Sequence, residues 1–110
     1  MSSYLVQVSY SVEALASLIK NPENRTETVR KSVKKLGGKL IGFWLAFGDY
    51  DVVTIVELPD SVSAAAMAFA VGGSGTAKSI KTTPLLSMDD GVAALKKAGA
   101  SSYKPIGAKK

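Results

Sequence analysis

The sequence predicts an α+β domain: one four-stranded antiparallel sheet, two helices on one of its faces, and a short extra helix near the end. Three observations carry this expectation. The stretch "YLVQVSY" alternates with period two, placing Tyr4, Val6, Val8 and Tyr10 on one side and Leu5, Gln7 and Ser9 on the other, as a strand does. The stretch "NPENRTETVRKSVKKLGG" has the punctuation of a helix at both ends. Two apolar runs, "KLIGFWLAF" and "DVVTIVEL", flank "GDYD", which reads as the turn of an antiparallel hairpin with Gly48 and Asp49 at its bend.

Each element follows in order. After the first strand, "SVEALASLIKN" has the composition of a short helical turn. In the next helix Pro22 suits a first turn, Asn24 with Glu27 three residues on resembles a capping box, and Gly37 with Gly38 supplies a left-handed stop. Val29, Val33 and Leu36 form its apolar stripe, and Glu27 is spaced to pair with Lys31 on its solvated, basic side.

The second strand is apolar on both faces, with Ile41, Phe43, Leu45 and Phe47 expected on one and Leu40, Gly42, Trp44 and Ala46 on the other. Gly42 within it marks a bulge or a close approach to the backbone. Pro59 ends the third strand, and Asp60 or Ser61 caps the alanine-rich helix "SVSAAAMAFAVGG". "TAKSIKTTPLLSM" is a fourth strand whose Pro84 argues for an edge position. "MDDGVAALKKAG" closes the domain as a helix with acids first and lysines last, as the helix dipole favours. The order β-α-β-β-α-β is the ferredoxin-like split βαβ pattern. Its strands are apolar on both faces, so the face without helices needs a cover, most economically a second copy of the chain.

Composition narrows the chemistry. At 110 residues the chain is long enough for one core, expected over residues 1–99 with a flexible basic tail at 100–110. It contains neither cysteine nor histidine, which removes disulfides, the commonest zinc and haem ligands, and the commonest general base. No cofactor or metal is expected, since "GGSG" lacks the spacing of a phosphate loop and Asp49, Asp51 and Glu57 define no cation loop. Three of the 14 basic residues, Lys104, Lys109 and Lys110, sit in the last seven positions, leaving 11 against 9 acids elsewhere. The net charge of +5 is therefore mostly a tail property, and nucleic acid is not expected as a partner. No signal peptide or membrane span is expected, which makes a cytoplasmic location the default.

The combination "FWLAFGDYDVVTIVELPD", preceded by "KLGGKL" and followed by an alanine-rich helix and "TAKSIKTTPLL", resembles the GYD domain family from about Tyr4 to Met88. The family's named glycine, tyrosine and aspartate fall on Gly48, Tyr50 and Asp51. This resemblance implies a dimeric α/β-barrel and brings no general activity with it. Pro84 and the basic tail depart from the family pattern.

Two roles follow for the motif. In the structural one, Gly48 takes a conformation that side chains oppose, and Asp51 accepts hydrogen bonds from turn amides. In the functional one, Tyr50 orients a small organic ligand, Asp51 or Asp49 acts as general base, and Trp44, Phe43 and Phe47 wall a cavity between two sheets. Glu57 and Lys81, charges within strands, are further ligand-binding candidates, and Lys78 should point away from Lys81. The leading expectation is a small homo-oligomeric protein with an organic or anionic ligand at a sheet–sheet interface. The alternatives are a cofactor-free monooxygenase or isomerase of the dimeric-barrel kind, and an oligomeric regulatory or interaction subunit.

Overall fold

The computed structural model describes residues 1–107; residues 108–110, the end of the expected tail, lie outside the described residues. The chain runs β1 (Ser2–Tyr10), α1 (Val12–Lys20), α2 (Thr26–Lys35), β2 (Lys39–Leu45), β3 (Val52–Leu58), α3 (Ser61–Gly73), β4 (Ala77–Leu85) and α4 (Met88–Gly99). The strands form one sheet in the order β2-β3-β1-β4 with every neighbouring pair antiparallel. This is the ferredoxin-like arrangement, with the C-terminal helix added.

Alternation sorts the central strands onto two faces. In β1, Tyr4, Val6 and Val8 are buried, as are Val52, Thr54, Val56 and Leu58 in β3. The register sets Tyr4 against Val56, Val6 against Thr54 and Val8 against Val52, so all seven share one side. Val33 of α2 and Ala64 and Met67 of α3 are buried in the same cluster, which makes this the core face. On the other side Leu5, Gln7, Val53, Ile55 and Glu57 are only half-buried, because no helix covers them.

Helix ends account for several details. Asp60 is the cap of α3, its carboxylate accepting the Ser63 amide at 2.8 Å. The expected capping box at α2 does not form. Asn24 instead accepts from the Thr26 amide at 3.0 Å, Arg25 occupies the N-cap position, and Glu27 pairs with Arg30 rather than Lys31. The turn closes one residue later than the box requires, which leaves the Glu27 side chain to the guanidinium one turn on. The α2 stop is as expected: Gly37 has φ +82° and the Gly38 amide donates to Val33 O. Gly38 is sterically fixed as well, since a Cβ there would collide with the Glu57 carbonyl and the Leu58 side chain.

Three features refine the expectations from sequence, and the bulge that Gly42 marks in β2 is one of them. The stretch after β1 is a full helix, α1, capped by Ser11 Oγ on the Ala14 amide and tied to the start of β4 by Ser11 N–H donating to Thr76 O. The β2 strand also changes phase. Ile41 has no partner in the ladder, so Leu40 pairs with Val56 and Gly42 with Ile55. This bulge puts Leu40, Phe43 and Leu45 on the core side and Gly42 and Trp44 on the open side, correcting the simple alternation. Buried Thr54 stabilises it, its hydroxyl donating to Gly42 O at 2.6 Å. Finally, α4 buries none of its residues and packs on no other element to a substantial extent. The described chain consequently measures 61 × 31 × 22 Å with a radius of gyration of 17.7 Å, against about 13 Å for a compact domain of this size.

Candidate functional site

The hairpin between β2 and β3 is fastened to the end of β1 rather than standing free. Ala46 N–H donates to Asp51 O at 2.7 Å, and Asp51 N–H donates to Val8 O at 2.8 Å. The Asp51 carboxylate accepts the Tyr10 amide at 2.8 Å, and Ser9 Oγ donates to Asp49 O at 2.8 Å. The β1–β3 register ends at Val8 and Val52, so the Tyr10 amide, on the same edge of β1 as Val8 O, lies past the last β3 partner, and the Asp51 carboxylate supplies its acceptor. Gly48 has φ +148°, while a Cβ there would meet nothing, so its requirement is conformational.

The side chains singled out from the sequence do not gather at one point. Phe47, at the loop, is 99% exposed, and Asp49 is exposed beside the half-buried Tyr50. Phe43 and Trp44 project from opposite sides of β2. The Trp44 indole lies over Gly42, where any Cβ would overlap the ring. Glu57 sits opposite Ser3 and Lys39, whereas Lys81 sits opposite Gln7, separating the two by roughly 13 Å along the strands. Among the described residues, no three acids come together as a cation site, and no helix is long and apolar enough to cross a membrane.

A different place has the shape of a site. The helix α2 rests on β2 and α3 on β4, the two edge strands, so the central strands between them are incompletely roofed. The gap is a cavity of about 270 Å³. Its floor is Val6, Val8, Val52 and Thr54 of the core face, with Phe43 from β2. Val29 and Leu36 wall one side and Met67, Ala70 and Val71 the other. Tyr10 and Arg25 stand at the boundary between this cavity and a second, larger groove of about 650 Å³ that also touches Trp44, Leu45 and Leu18.

Electrostatics at that boundary differ from the interior. Burial raises the Tyr10 phenol above its ordinary range, the Arg25 guanidinium opposes this, and Asp51 and Glu23 add to it. Arg25 Nη1 is bonded to Glu23 Oε1 at 2.9 Å. Of the residues lining this cavity, Phe43 alone was singled out in the sequence as ligand-binding. The sequence places Tyr10 on one face of the first strand and gives Arg25 no role of its own. The available signal was that Arg25 is one of two arginines and lies just before the helix, outside its lysine-rich solvated face.

A ferredoxin-like sheet whose β2–β3 hairpin carries glycine, tyrosine and aspartate at 48, 50 and 51 defines a class of small α+β proteins. A family model for the GYD domain matches residues 4–95, and the chain belongs to that family. It is also similar to the glutamine synthetase and cystathionine beta-lyase binding protein of Thermus thermophilus, with 25% identity over 96 residues, covering 87% of this chain and all of the relative.

Proposed function

We propose that this protein is a homo-oligomeric binding protein: copies associate through the open face of the sheet, and the assembly docks onto a protein partner. The observation that carries it is the open face itself. Leu5, Val53, Ile55 and Trp44 lie there on strands whose other side carries the helices and the core, and Trp44 is 53% exposed. A continuous apolar surface of this kind marks an interaction site. Glu57 with Lys39 and Lys81 on the same face gives a two-fold related copy opposite charges to meet.

Docking on a protein is supported by the Thermus thermophilus relative, whose name is that of a binding protein for two enzymes. It is supported also by α4, which presents Met88, Val92 and Leu95 to solvent at spacings of four and three. Asp51 has a structural use already, since its carboxylate accepts the Tyr10 amide and so fastens the hairpin to β1.

Sedimentation velocity at low micromolar concentration tests the first half. The wild-type chain is expected at twice the protomer mass or more, and Ile55→Lys at the protomer mass with its circular dichroism unchanged. A wild-type monomer overturns the proposal. For the second half, deletion after Leu86 should leave the oligomer intact and abolish co-purification of the partner protein.

A further inference from the structure

We propose that the cavity between α2, α3 and the sheet binds a small apolar monocarboxylate, with Arg25 holding the carboxylate at the mouth and the β1, β2 and β3 side chains receiving its body. This goes beyond self-association, since the cavity lies on the opposite side of the sheet from the face that would pair. The volume of about 270 Å³, open on one side, is close to the lower end of small-molecule sites, about 300 Å³. Its floor of Val6, Val8, Val52 and Phe43 offers no charge and suits a hydrocarbon or aromatic body.

The ligand's charge follows from the mouth. No acid lines the cavity, and Arg25 is its only charged lining residue among those described. The guanidinium carries five donors, and its recorded bond, to Glu23, uses Nη1. The fork is thus able to take a second carboxylate in a planar, two-point manner, which lysine does not match. One cation fits one carboxylate, while Glu23 beside it repels a second anionic group on the same ligand. Tyr10, partly withdrawn from water at the same boundary, keeps the phenol protonated and available as a donor. The remaining lining polar groups are the hydroxyls of Thr28, Ser32, Thr54, Ser74 and Thr76, which add no charge.

The cavity has a cause in the chain. The helix α3 is rich in alanine and buries only Ala64 and Met67, so it leaves the space beside Val71 unfilled. A ligand that occupies it and binds only the folded state stabilises that state by mass action.

Octanoate, with octanol as its uncharged counterpart, tests the inference by isothermal titration and thermal unfolding of the full chain. Octanoate is expected to bind and raise the unfolding midpoint, and octanol to bind at least ten-fold more weakly. Arg25→Gln should reduce octanoate affinity ten-fold or more and leave octanol unaffected. Ala70→Phe, at an exposed rim position, should fill the cavity and remove binding of both while the circular dichroism stays native. Ile55→Lys on the open face should change nothing, which separates this site from self-association. The proposal is overturned if octanoate fails to bind, if octanol matches it, or if Ile55→Lys rather than Ala70→Phe abolishes binding.

Discussion

The two faces of this sheet are built from the same strands and have different fates. On the core side, Val56 and Leu58 of β3 are essentially inaccessible; one residue away, Ile55 and Glu57 are half in water. Hydrophobicity is similar on both sides of β3, yet only one side receives helices. Burial here is decided by topology, since both crossovers of a split βαβ unit pass over the same face. The covered side therefore reports on folding, and the uncovered side on the association proposed above.

That contrast is open to direct attack. The largest effect is expected from Leu58→Ala, about 2–5 kcal/mol of unfolding free energy lost in urea titrations, because the fully buried side chain leaves a cavity. Ile55→Ala, measured at concentrations where the chain is a protomer, should cost less than half as much. Equal costs would mean that the open face is sheltered within one chain.

Gly38→Ala should come next, at about 1–3 kcal/mol, since its methyl has to displace the Glu57 carbonyl from β3. Asp51→Ala is expected to cost about 1–3 kcal/mol by leaving the Tyr10 amide without an acceptor, and hydrogen exchange at Tyr10 should accelerate specifically. If Asp51→Ala leaves both stability and exchange untouched, the hairpin is not anchored to β1 as described.

The smallest effect concerns acid. Hydrogen bonds from Ser63, chiefly its amide, lower the Asp60 carboxyl below its ordinary value. Stability linked to it is present above about pH 4 and is lost as pH falls through the lower folded-state value. Asp60→Asn keeps a capping side chain without the charge, so its unfolding midpoint should change less with pH across that acidic window than wild type does.

Much of the fold was legible because local signals agree with the tertiary arrangement. Alternation in β1, the Gly37–Gly38 stop, the Asp60 cap and the edge position of Pro84 each follow from a residue type with one comfortable place to be. The side on which Phe43 falls was not legible, because a bulge adds one residue to β2 and period two then assigns the wrong face. The cavity was illegible for a related reason. Tyr10 ends a strand, Arg25 precedes a helix and Val71 lies near the end of another, and nothing in sequence spacing brings three such termini together. The hairpin motif drew attention through its unusual composition, while the space between the helices is marked by side chains too small to fill it.

The unpaired residue in β2 has a consequence for length variation. Removing Ile41 would shorten the chain yet leave an uninterrupted ladder in which every aromatic keeps its side. Removing Gly42 instead gives a protein of identical length, but slides a branched isoleucine beneath the indole of Trp44. Soluble yield of the two deletants, compared side by side, should be high for the first and poor for the second. At this point in the chain, which residue is lost matters more than how many.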